Sequence, residues 1–430
     1  MRNSIITTAA ALLIAGNSMA QVGLSIPANI KAENTDAPAP LSSTWMERRA
    51  GDFGAASLIG NAAAIPESRH SETAPVAFAW ALEDVSANTR APQSAHVESR
   101  QYWVDATGAE LARGVSLPLT ARGAVIRVSP LEAGGDVRID PASVRLSVDG
   151  RSFDSSRSML HVTDGAALQK QGMSVPPQTI AFKLDQAIPA GRLELSVAQL
   201  PDDQQLVVHV FEPESDWVAR LALPRHTFLA GEMLEFGFGL GTGQDKAGVD
   251  SIQAVLADPF AQKTWELQID KRAGTLTRRA PGDRFVSGFD GLFEAYVYLE
   301  TVHDGMTIRR DLKLPVSIVP PLARFTGQTR AMQDGGLKLE LGIQTARPGR
   351  FQVNGQIFGT SANGSLEPLA IAQAAALIEA RTGSIELQVN KRMLQASGLS
   401  APFEVRNLEL LDQGRMFLLQ RQHRALLLTE

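Results

Sequence analysis

The chain has 430 residues, 44% of them hydrophobic and 20% charged, enough for several domains with ordinary apolar cores. A net charge of −5 gives no electrostatic footprint for nucleic acid. The absence of cysteine excludes disulfides, thiol catalysis, thiolate metal sites and a lipid anchor on an N-terminal Cys.

The first twenty residues read as a secretory signal. Arg2 supplies a short basic start and Ser4–Gly16 an apolar stretch, and Ser18 and Ala20 are the small residues before cleavage at Gln21. The apolar stretch is too short for a lasting membrane span, and no second run reaches the length one requires. Residues 21–73, rich in Ala, Ser, Pro and Asn, lack sustained periodicity and read as a flexible tether with a possible short helix near Trp45.

From Ala74 onward the texture is that of short strands. "GAVIRVSP", "SVRLSVDGRSF", "TIAFKLD", "RLELSVAQL" and "QLVVHVFEP" alternate apolar and polar residues. The Asp-Gly of "VDGRSF" and the Thr-Gly of "VDATGAEL" read as hairpin turns. Pro368–Gly383 is ambiguous, because its alanines favour helix while its continuous apolar run fits buried strands.

Two later blocks resemble each other. Ala219-Arg220 aligns with Ala323-Arg324 and Gly231 with Gly335, an offset of 104 (323 − 219), while Phe293-Glu294 aligns with Phe403-Glu404, an offset of 110 (403 − 293). A period near 100 residues built from short strands has the grain of an immunoglobulin-like sandwich. "FEPESDW" (Phe211–Trp217) and "VPPLAR" (Val319–Arg324) are the expected joints. The expected fold is therefore all-β: tandem β-sandwiches over 74–213, 214–320 and 321–430, following a signal peptide (1–20) and a tether (21–73).

Chemistry is sparse. His70, His96, His161, His209, His226, His303 and His423 form no HExxH, HxH or HxxxH motif. His303-Asp304 sits between two alternating runs and reads as a hairpin tip, since Asp304-Gly305 is a strong turn signal. "GFGLGTGQDKAG" fails both the P-loop and the GxGxxG spacing and reads as a strand entering a loop. Asp245 and Asp250, with Asp202 and Asp203, lack the DxDxDG calcium spacing. Asn363-Gly364-Ser365 reads first as a turn. The sequence thus nominates no catalytic residue, cofactor or metal site. A hydrolase site would have to draw on His96, His161 and His209 with Asp140 or Asp154. A carbohydrate site would need Tyr102, Trp103 or Trp217 on one flat exposed surface.

His96–Pro130 is similar to the N-terminal part of a family of exported bacterial proteins of unknown function. Asp290–Val316 and Ser397–Gln420 resemble that family's immunoglobulin-like C-terminal modules. The resemblance spans roughly 74–430 and implies the fold and export, but no site residues. The combined expectation is an exported, periplasmic or extracellular protein, more a binding or envelope-associated module than an enzyme. Its partner would be another envelope or extracellular protein, without nucleic acid and without a membrane span once the signal is removed.

Overall fold

The computed structural model describes residues 39–60, 73–82, 94–131, 139–243, 245–282 and 291–430. The expected signal peptide, residues 21–38 and 61–72 of the expected tether, and His70 among the latter lie outside these residues. The described chain is almost entirely β, arranged as sheets packed in sandwich-like layers.

The first sandwich pairs two sheets. One has the order Met159–Asp164, Ile180–Leu184, Val125–Pro130, Gln205–Phe211, Gln101–Thr107; the other runs Val115–Leu119, Gly191–Val197, Val144–Val148, Arg151–Phe153. Strict alternation along these strands sends Leu193, Leu195 and Val197 inward against Leu206, Val208 and Val210, and these close their own core. The expected "VDGRSF" hairpin is present, with Asp149 and Gly150 both at positive φ. The "VDATGAEL" reading is corrected. Thr107 is the N-cap of a helix, Gly108–Arg113, in which the Thr107 side chain takes the Glu110 N–H and the Glu110 carboxylate takes the Thr107 N–H. The Thr-x-x-Glu spacing of a capping box outweighs the Thr-Gly turn signal.

The second sandwich faces a six-stranded sheet (Gln268–Asp270, Thr275–Arg279, Met233–Thr242, Trp217–Leu223, Ala95–Ser99, with Asp245–Lys246 beside Met233–Thr242) against a five-stranded one (Thr227–Leu229, Met306–Val319, Phe293–His303, Ser251–Ala257, Thr264–Glu266). The tight return at Asp245 needs glycine at 241, where a Cβ would lie 1.8 Å from the Asp245 carbonyl oxygen.

The third sandwich is a ten-stranded sheet folded over itself. Its order is Thr382–Val389, Leu337–Thr345, Ala323–Gln333, Ala39–Trp45, Phe417–Thr429, Ser400–Asp412, Gly349–Thr360, Leu366–Ile378, Val76–Ala81, with Phe53–Gly54 also on Phe417–Thr429. The ambiguous Pro368–Gly383 segment is strand. Alanines 370, 372 and 374 face inward, and their small side chains let Thr382–Val389 lie close across the layer. Positions paired by the internal repeat land alike: Ala219 and Ala323, like Phe293 and Phe403, are fully buried, and Gly231 and Gly335 both have φ of 85°.

Three segments sit in sheets the sequence did not assign them to. Ala39–Trp45, read as tether, stitches the third sandwich. Ala39–Leu41 pairs with Ala323–Gln333 and Ser42–Trp45 with Phe417–Thr429. Val76–Ala81 pairs with Leu366–Ile378, and Ala95–Ser99 pairs with Trp217–Leu223, so both leave the first sandwich to which 74–213 had assigned them. A strand's backbone groups bond equally well to any neighbour, so composition does not select the sheet. One continuous apolar core runs through the second and third sandwiches.

Candidate functional site

The residues on which a hydrolase would draw are given other tasks by the fold. Asp140 and Asp154 are exposed and cap the short helical turns Pro141–Ser143 and Ser155–Ser158, accepting the Ala142 and Ser156 N–H groups. His96 and His161 are exposed on strands, His161 at a positive φ where the pairing slips register. His209 is partly buried, and its Nε2 lies 3.0 Å from Gln101 Oε1. Burial, reinforced by Arg127, lowers its pKa to about 4, so it is neutral at physiological pH. His303 Nε2 stands 3.4 Å from Asp304 Oδ2 at an exposed hairpin tip, where Asp304 and Gly305 carry the positive φ values of a tight turn. Asp250 secures that hairpin by accepting the Val302 N–H and the Thr301 hydroxyl. Among the described residues no three His, Asp or Glu side chains are grouped to hold a metal.

The aromatic platform also dissolves. Tyr102 is fully buried with its hydroxyl on Pro118 O, Trp217 packs edge-on against His303, and Trp103 meets Tyr298 at 5.4 Å and 83°. No two of the three named rings form a flat exposed surface.

The structure instead marks three places. The first is the joint between the first and second sandwiches, around Glu212 and Arg310. Glu212 and Arg310, both with no exposed side-chain surface, pair at 2.8 Å. Arg310 uses all five of its N–H donors: Nε on Trp217 O, Nη1 on Arg309 O and Glu212, Nη2 on the Thr120 and Ser215 hydroxyls. Glu212 is equally saturated, accepting the Thr120 and Ala121 N–H groups on Oε1 and the Thr120 hydroxyl and Arg310 on Oε2. A buried pair with every donor and acceptor satisfied fixes two sandwiches in one relative orientation.

The second is a cleft of ≈ 440 Å³ beside that joint, lined by Trp103 and Asp105 from the edge strand of the first sandwich and by Gln253, Tyr298, Arg309 and Asp311 from the second. Asp311 is buried and accepts the Trp103 N–H at 2.7 Å. Burial raises its pKa to about 7, against the Trp103 hydrogen bond and the charges of Arg309 and Arg310, and Asp105 adds to the rise.

The third is the strand Val76–Ala81, "VAFAWA", which ends the order of the ten-stranded sheet and, among the described residues, pairs only with Leu366–Ile378. Alternation sends Ala77, Ala79 and Ala81 one way and Val76, Phe78 and Trp80 the other, the latter 38%, 48% and 50% exposed. Phe78 and Trp80 contact each other at 5.0 Å and 75°, too steep for a stacking platform. Inward along the same face, Phe78 is followed by Gln373 and Asn354, and Val76 by Ala375 and Gln352. The apolar edge therefore borders a row of amides. Sequence reading missed this strand because its alternation, alanine against larger apolar residues, is not a polar one.

Comparison with known proteins agrees with this fold. The N-terminal and C-terminal domains of DUF4785, a domain of unknown function, match residues 67–212 and 322–429. The crystal structure of a DUF4785 family protein from Legionella pneumophila subsp. pneumophila superposes with a TM-score of 0.65 at 14% identity, covering 89% of this chain and 98% of that one. A second solved structure, titled pT26-6p, aligns with a TM-score of 0.16 at 8% identity over 51% of this chain and 63% of that one, and carries no argument. No curated protein matches. With the two domain matches flanking the second sandwich and the superposition extending over nearly the whole related chain, the protein belongs to the DUF4785 family, whose function is unknown.

Proposed function

We propose that the protein is an exported, non-enzymatic binding module that takes an extended segment of another envelope or extracellular protein along the strand Val76–Ala81. The observation that carries this reading is the exposure of Val76, Phe78 and Trp80 on a strand at the end of its sheet. Folded proteins normally blunt such edges with charges, proline or a bulge, because the unpaired N–H and C=O groups recruit other strands. "VAFAWA" has none of these protections. An added strand would satisfy the free backbone groups, and alternate apolar side chains on it would cover Phe78 and Trp80. The fixed joint at Glu212–Arg310 suits a scaffold that presents surfaces at a constant spacing. Export is supported by the sequence of residues 1–20 alone.

The test compares the tagged protein with a Phe78→Lys, Trp80→Lys double variant of equal thermal midpoint, each recovered from periplasmic and culture-fluid fractions. A protein captured stoichiometrically by the first and lost from the second supports the reading. Equal capture by both, no capture, or retention of the chain in the cytoplasm overturns it. Self-association of purified protein that is lost in the double variant would replace the foreign strand with a second copy, and would also overturn it.

A further inference from the structure

Among the described residues Asp311 belongs to no ion pair. It is 4% exposed, yet its only hydrogen bond among the described residues is the Trp103 N–H on Oδ2. The other oxygen has no hydrogen bond among the described residues, and Asp311 lines the cleft. Among the described residues, neither neighbouring guanidinium hydrogen-bonds to it. Arg310 has all five donors engaged at the joint, and Arg309 holds Glu300 at 2.6 Å. Once Arg309 and Glu300 are counted as a pair, the cleft retains the charges of Asp105 and Asp311 beside two half-exposed rings. Buried ionisable groups are ordinarily paired, and an unpaired one calls for an explanation.

We propose that this cleft binds an organic cation, an ammonium or guanidinium group, held between the Trp103 and Tyr298 rings and the carboxylates of Asp311 and Asp105. The ring faces attract cations, most strongly where water is excluded. A cation also supplies the missing counter-charge for Asp311, which neither a neutral sugar nor an anion does. The cleft, at ≈ 440 Å³, lies in the size range of small-ligand sites. The groups facing Asp311 are Trp103 and Asp105 from the first sandwich, Tyr298 and Glu300 from the adjacent strand, and Arg309 and Arg310 on its own strand. Burial raises the Asp311 pKa to about 7, so binding strengthens as pH rises through that value and releases a proton there. The site is separate from the strand Val76–Ala81, and either proposal stands without the other.

Calorimetric titration of the whole chain with cadaverine, arginine methyl ester and a pentalysine peptide at pH 6 and pH 8 tests it. Saturable binding, tighter at pH 8, is expected for at least one probe. Asp311→Asn and Trp103→Leu should each weaken it by about tenfold or more, as expected for losing a charged contact. Asp203→Asn, on an exposed loop of the first sandwich, should leave it unchanged. If Asp311→Asn does not fold, the exposed Asp105→Asn together with Trp103→Leu carries the comparison. Binding of cadaverine or the arginine ester points to a free amine or guanidine as ligand, and binding of pentalysine alone points to a basic segment of a protein. Failure of all three probes at millimolar concentration, tighter binding at pH 6, or an equal loss in Asp203→Asn overturns the proposal.

Discussion

Replacing Arg310 by methionine keeps much of the side chain's length and removes its charge. Glu212 would then remain as a carboxylate with no exposed surface, and the Trp217 carbonyl and the Thr120 and Ser215 hydroxyls would each lose a donor. Breaking a buried pair by deleting one partner costs ~3–5 kcal/mol. The Thr120 and Ala121 N–H groups still serve Glu212, which places the expected loss near the lower end, about 3 kcal/mol. That is a large share of the roughly 5–15 kcal/mol that holds a typical domain folded. Because a chain of several sandwiches does not unfold in one step, the suitable assay is native-state amide exchange at Thr120 and Ala121, whose N–H groups point at Glu212. Two comparisons sharpen it. Replacing both partners, Arg310→Met with Glu212→Gln, should recover part of the loss, because no uncompensated charge remains and the Gln carbonyl oxygen can still accept the Thr120 and Ala121 N–H groups. Arg309→Met removes the next residue along the strand, whose pair with Glu300 is 37% and 41% exposed, and should cost under ~1 kcal/mol. A cost for Arg310→Met as small as that for Arg309→Met would refute the view that the joint is held by a desolvated pair.

Three further outcomes follow from the same structure. His209, with its pKa lowered to about 4, stays neutral in the fold while the unfolded chain protonates near 6.5. Its contribution is present above pH 6.5 and is lost as pH falls towards 4, by at most ~3 kcal/mol, so His209→Gln should flatten that limb of a stability–pH curve. Asp311 has the opposite sign: its folded pKa of about 7 lies above the unfolded value near 4, so stability is full below pH 4 and declines as pH rises to 7. Asp311→Asn should remove that decline, ~4 kcal/mol at its limit, and an unchanged slope between pH 4 and 7 would contradict the assignment. Gly108→Ala would set a Cβ 2.0 Å from the Pro201 carbonyl oxygen, a backbone atom that cannot swing aside, and should lower the thermal midpoint by an amount equivalent to ~1–3 kcal/mol.

Local patterns were readable where the chemistry is local. Asp149-Gly150 and Asp304-Gly305 were recognisable as turns because few other dipeptides tolerate two consecutive positive φ values. The same logic misread Thr107-Gly108, where the deciding residue was Glu110, three positions further on. Candidate sites were less legible. The seven histidines attracted scrutiny for their chemistry, yet the places that stand out hold no histidine: a Glu–Arg pair, a cleft around Trp103 and Asp311, and an uncharged edge strand.

By itself, the sequence determined the all-β class, the strand-by-strand alternation and several hairpin tips, since each depends on residues a few positions apart. Only the tertiary structure decided that Ala39–Trp45 and Val76–Ala81 complete the last sandwich, and that Glu212 meets Arg310 and Trp103 meets Asp311. Backbone hydrogen bonds are alike in every strand, and a charge reveals nothing of its partner until folding removes the water around both.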